Sequence, residues 1–172
     1  MKLNTLQDLY VEQLHDLMDA EEQLEKALDK MSDKASYTEL KNAFMEHREQ
    51  TKGHAQRLEE IFENLGEKPK AQKCKGIRGI IDEGEDVAKA SGDAASIDAG
   101  LIASAQRAEH YEIAAYGTVA TYAEMLGRTQ DVQLLRQTLE EEKETDRKLT
   151  SLAERLINVD AARAAGRERR VS

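Results

Sequence analysis

Three glutamates stand where the spacing of their neighbours calls for an apolar side chain. Tyr10, Leu14, Leu17, Leu24 and Leu28 recur at helical intervals, and Glu21 fills the gap in that stripe. Leu101, Ala105, Ala108, Ala115, Val119 and Ala123 form a second stripe with Glu112 at its middle. Leu135, Thr138, Leu149, Ala153 and Leu156 form a third, centred on Glu142. A carboxylate on an apolar face is costly to bury unless it is paired, protonated or bound to a cation. One such acid is commonly an edge-of-core residue whose head reaches water. Three from three helices point to a shared metal site, because hard and borderline divalent ions accept carboxylate and imidazole.

Further candidates lie close to these positions. Glu109 is one turn before Glu112, about 60° off its stripe, and Asp146 is one turn after Glu142. A fourth stripe, Leu40, Phe44, Leu58, Phe62 and Leu65, encloses His47, Thr51 and His54, with Gln50 at its edge. His54 reads either as a ligand or as a hydrogen-bonded core histidine, and His47 is the weaker candidate. Glu49 and His110 point away from their stripes, and Glu140 and Glu141 read as a solvated face. The metal set expected from the sequence is Glu21, His54, Glu109, Glu112, Glu142 and Asp146.

The elements that carry these residues are four long helices. The first runs from about Thr5 to Asp33. The second begins after Ser36, where Ser36-Tyr37-Thr38-Glu39 reads as a capping box, and ends at Leu65 before Gly66 and Pro69. Asp93 caps a third over 94–126, stopped by Gly127, and Thr129 caps a fourth reaching Asn158. Residues 67–93 hold Pro69, Gly76, Gly79, Gly84 and Gly92, with a short helix over 77–89. Two helical hairpins joined by one long crossover make a ferritin-like four-helix bundle, an all-α fold spanning residues 1–158. Residues 159–172, with Arg163, Arg167, Arg169 and Arg170, read as a basic, disordered tail. Glu112 lies 15 residues before Gly127 and Glu142 lies 15 after it, so the two meet at one height near mid-bundle.

Composition narrows the function classes. The 172 residues include 34% charged and 4% aromatic residues, one proline and no tryptophan, which favours helix over strand. A net charge of −9 argues against nucleic acid and anionic membrane as partners, and aromatics are too few for a base-stacking surface. Cys74 is the single cysteine, so no intrachain disulfide forms. No apolar run reaches the ~20 residues of a membrane span, and a cytoplasmic location is expected. Ser/His/Asp sets, Cys-His pairs and zinc-type cysteine spacings are absent. Glu-x-x-His, the paired ligand of many ferritin-like bundles, is missing from the second and fourth helices.

Four motifs carry a family resemblance: Ala20-Glu21-x-Gln23-Leu24, His47-x-Glu49-x-Thr51, Glu109-His110-Tyr111-Glu112-Ile113-Ala114-x-Tyr116-Gly117, and Glu140-Glu141-Glu142-x-x-x-Asp146. Across roughly residues 3–157 the chain resembles the YciE/YciF family of small bacterial ferritin-like proteins. The resemblance implies a homodimer in bacterial stress responses with a dinuclear centre of iron or manganese, two ions per subunit. It implies Glu21, Glu112 and Glu142 as ligands, with Glu109 and Asp146 beside them, and a ferroxidase or peroxide-consuming activity. The family pattern often has an acid where this chain has Gln50, and an amide supplies no anionic bridge. That departure keeps open an alternative, a non-catalytic stress or interaction protein with a structural or vestigial metal site.

Overall fold

The computed structural model of the chain describes residues 2–70 and 72–171, with side chains to residue 164. Its elements are α1 (Leu6–Lys34), α2 (Thr38–Leu65), α3 (Lys75–Lys89), α4 (Ala94–Met125), α5 (Thr129–Leu152) and α6 (Asn158–Val171). A single π-helical turn, Ala153–Ile157, joins α5 to α6. Helices α1 and α2 form one hairpin, α4 and α5 the other, and α1 packs on α4 as α2 packs on α5. The short α3 crosses over against α1 and α4, which gives the expected ferritin-like bundle with a helical crossover.

The helix ends follow local chemistry. Thr5 Oγ1 accepts from the Asp8 N–H, and the Asp8 carboxylate accepts from the Thr5 N–H, closing a capping box on α1. Gly66 (φ 68°) and Gly127 (φ 71°) end α2 and α4 in the left-handed region that glycine reaches without a Cβ clash. Two expected caps are corrected. No side chain of the Ser36 segment caps α2; instead the buried Asp98 of α4 accepts from the Ser36 N–H at 2.9 Å and the Tyr37 N–H at 2.8 Å. Thr129 is the first residue of α5 rather than its cap. The expected helix end at Asn158 is also corrected, since the backbone stays helical through α6. The disordered tail expected over 159–172 therefore meets helix wherever the backbone is described, and the side chains from residue 165 on lie outside the described residues. Tyr37 Oη donates to Asp160 at 2.7 Å, tying the start of α6 to the first hairpin.

Two apolar clusters fill the bundle, one at each end. The first gathers Tyr10, Leu14, Leu17, Leu58, Phe62, Val119 and Leu135. The second gathers Leu28, Leu40, Phe44, Leu101, Leu149 and Ile157. The inward acids form a polar layer between them. Outside that layer, α3 seats Ile77 and Cys74 against Ala20, Leu24 and Ala108. Its approach to α4 is close: a Cβ on Gly100 would come within 2.7 Å of Val87 Cγ1.

Candidate metal centre

Each helix of the bundle contributes to the polar layer from its inward stripe. Helix α1 brings Glu21, α2 brings His47 and His54, α4 brings Glu109 and Glu112, and α5 brings Glu142. All six side chains are buried, none more than 3% exposed. Their ligand atoms fall into two groups, His47–Glu109–Glu112–Glu142 and Glu21–His54–Glu142, each within 4.8 Å. Glu142 belongs to both.

The distances suit a shared cation. His54 Nδ1 lies 2.9 Å from Glu142 Oε1 and 3.6 Å from Glu21 Oε1. His47 Nε2 lies 3.2 Å from Glu109 Oε1 and 3.7 Å from Glu142 Oε2. Neighbouring donors on one ion, each at ~2.1 Å, stand about 3 Å apart. The buried atoms Glu21 Oε2, Glu109 Oε2, Glu112 Oε1 and Glu142 Oε2 have no hydrogen-bond partner among the described residues. Burying such atoms without partners costs about 1–3 kcal/mol each, more when charged. The donor set therefore fits a divalent metal.

A second ring of residues orients these side chains. His54 Nε2 is 2.9 Å from Glu141 Oε2, and Arg57 clamps both Glu141 oxygens at 2.8 Å. An Nε2–H donated to Glu141 leaves the Nδ1 lone pair facing the cluster. His47 Nδ1 is 3.4 Å from Gln50 Oε1 and 3.3 Å from Thr145 Oγ1, which leaves its Nε2 for the cluster. Tyr116 Oη donates to Glu21 from the apolar side.

The protons follow from burial. Burial pushes Glu109 up to about 8 and raises Glu21 and Glu142. Glu112 is driven well above the carboxylate range by burial and by the charges of Glu142, Glu21 and Glu109. Burial lowers His54, but the carboxylates of Glu142 and Glu21 outweigh it and hold it at about 10. The metal-free layer thus retains protons that a cation would displace.

Five of the six residues expected as ligands come together: Glu21, His54, Glu109, Glu112 and Glu142. Asp146 does not. It is half-buried one turn further, where Gln106 Nε2 donates to its Oδ1 at 2.9 Å and His110 approaches to 3.5 Å. Its phase on α5 turns it toward the flank of α4. His47, the weaker histidine candidate, joins the cluster alongside His54. Glu141 is not merely solvated, because the α2–α5 contact brings Arg57 and His54 to it. Helical phase holds the signal for His47; nothing local marks Glu141.

The sequence matches the family described as "Domain of unknown function (DUF892)" over residues 5–162. It is 42% identical to Protein YciF of Escherichia coli (strain K12) across 166 residues, 96% of this chain and 100% of that one. The crystal structure of the E. coli stress protein YciF superposes with a TM-score of 0.87 at 43% identity, covering 90% of this chain and 98% of that one. YcfI from Rhodopseudomonas palustris matches with a TM-score of 0.84 and 39% identity over 87% of this chain and 95% of that one. A dodecameric thioferritin of Bacteroides fragilis shares the fold alone, with a TM-score of 0.68 at 17% identity over 94% of this chain and 90% of that one.

Proposed function

The chain belongs to the DUF892 family together with YciF, and on that premise we propose that its polar layer is a dinuclear divalent-metal centre of a stress-response protein. The observation that carries the proposal is the pair of ligand groups sharing Glu142. Ionised Glu21, Glu109, Glu112 and Glu142 would supply four negative charges, which two divalent ions neutralise. Glu21, His54 and Glu142 would hold one ion, and His47, Glu109, Glu112 and Glu142 the other. Iron or manganese suits this carboxylate-rich set with one imidazole per ion. Such a pair, when bound, supplies two adjacent one-electron couples for oxidising ferrous iron or reducing peroxide.

The chain's own residues set the conditions for that chemistry. Arg57 and Glu141 hold His54 in one tautomer; Gln50 and Thr145 do the same for His47. The apolar clusters cover the layer toward both ends of the bundle. Tyr116 holds a proton against Glu21.

Protein reconstituted with Fe²⁺ or Mn²⁺ is expected to bind two ions per subunit and to consume peroxide well above a Glu112→Ala control. Equal rates with full occupancy would leave a structural metal site, the second reading. That reading draws on Gln50, which sits beside His47 and adds no anionic bridge. Metal occupancy near zero would remove both. We further propose, on the family resemblance, that the protein is a homodimer of the cytoplasm. The described residues contain no helix long and apolar enough to cross a membrane.

A further inference from the structure

We propose that the cavity between α1, α3 and α4 binds a small amphiphile with one anionic head, of the medium-chain carboxylate class, with its apolar end directed at the acid layer. The cavity measures about 300 Å³, at the small end of the ~300–1,000 Å³ typical of ligand pockets. Leu24, Leu28, Ile80, Ile81, Ala105 and Ala108 wall it, so its middle favours hydrocarbon.

Its two ends differ in chemistry. At the inner end stand His47 and Glu109, both buried, and Glu109 Oε2 has no hydrogen-bond partner there. At the mouth stand Lys30, Lys34 and Lys89 around a single acid, Glu85. Glu85 is held by Lys30 at 2.8 Å and Lys89 at 3.4 Å, and Lys34 makes no ion pair among the described residues. Three lysines against one glutamate make a cationic rim on a chain whose net charge is −9. A carboxylate at Lys34 with its chain running inward satisfies the rim and the walls together. A second copy docked symmetrically on this face would bring two lysine rims together, which disfavours it as the occupant.

The binding rests on the cavity alone, while the meaning of its inner end rests on the metal-centre reading. Sodium octanoate and neutral octanol are titrated into metal-free and Mn²⁺-loaded protein by NMR. Octanoate is expected to bind both forms and to bind more tightly than octanol. Lys34→Gln with Lys89→Gln, both at exposed positions, should weaken octanoate roughly fivefold at low salt and leave octanol unchanged. Ala27→Phe, which fills the cavity, should abolish binding of both. In the Mn²⁺ form the terminal methyl of octanoate should broaden more than the methylene next to its carboxylate.

Octanoate that fails to bind at millimolar concentration, or that binds the Ala27→Phe protein normally, would overturn the proposal. So would equal affinity for octanol, or a dimer that dissociates in the lysine variant while octanoate does not bind. If octanoate binds and Mn²⁺ does not, the metal reading fails alone. If Mn²⁺ binds and octanoate does not, the cavity reading fails alone.

Discussion

Glu109→Gln should stabilise the metal-free protein, and by an amount that grows with pH. Burial pushes the folded Glu109 carboxyl up from 4.5 to about 8. For an acid whose folded value is raised, the fold gains nothing below the unfolded value and loses stability as pH climbs toward the folded one. At pH 7 the unfolded carboxyl has released its proton and the folded one has kept it. At ~1.4 kcal/mol per pH step above 4.5, the fold is then disfavoured by about 3 kcal/mol. At pH 5 the same reasoning gives under ~1 kcal/mol. Glutamine keeps the shape and removes the titration. For a chain of this size ~1 kcal/mol moves Tm by about 2–4 °C, so the variant should melt roughly 6–12 °C above wild type at pH 7 and near it at pH 5. Thermal melts of chelator-treated protein from pH 5 to 8 give the comparison. The slope is the readout, because losing the 3.2 Å approach of Glu109 to His47 can shift both ends together. Added Mn²⁺ should narrow the gap, since ligand at 100 times Kd adds about 2.7 kcal/mol to wild type and less to a protein short of one ligand. Parallel Tm-against-pH lines for the two metal-free proteins would refute the reasoning.

Three further outcomes follow from the same geometry. Metal binding at pH 7 should release at least two protons per subunit, from His54 at about 10 and Glu109 at about 8, read by calorimetry in buffers of different ionisation enthalpy; a buffer-independent heat would contradict it. Gln50→Ala should lower metal affinity about 10–100-fold with little change in the metal-free Tm, because its amide oxygen faces His47 Nδ1 and not the cluster. Asp98→Ala should do the opposite: it strips the acceptor from the Ser36 and Tyr37 N–H groups, costing about 1–3 kcal/mol in a denaturant melt, and leaves metal affinity unchanged.

The fold was legible because each long helix carries a stripe that dictates its buried face. Leu14, Leu17 and Leu24 on α1 and Leu135 and Leu149 on α5 are all buried as their spacing requires. The same phase argument placed Glu21, Glu112 and Glu142, since an inward position stays inward whatever residue fills it. It failed where the decisive partner lies on another helix. Asp98 displaces the expected cap of α2 across 62 residues of sequence, and Glu141 reaches His54 across 87. No local pattern holds those distances. Asp146 shows the reverse case, for its spacing from Glu142 fits one turn while its carboxylate meets Gln106 on α4, which also donates to Thr150.

Gln50 is the residue whose meaning changes most. Read as a sequence position, it is a missing bridging acid and an argument against a complete centre. In the structure its oxygen turns toward His47 and Thr145, and α2 serves the layer with two imidazoles. The charge comes from the other three helices. The layer is therefore not a depleted version of an acid-rich site but one with its own balance: four carboxylates and two imidazoles, with Glu142 common to both groups. Without cations that arrangement works against the bundle, because the raised carboxyls make the fold weaken as pH rises. The two apolar clusters on either side are what let the bundle stand in that state, and they also fix the helices that would present a preorganised set of donors to any bound ion.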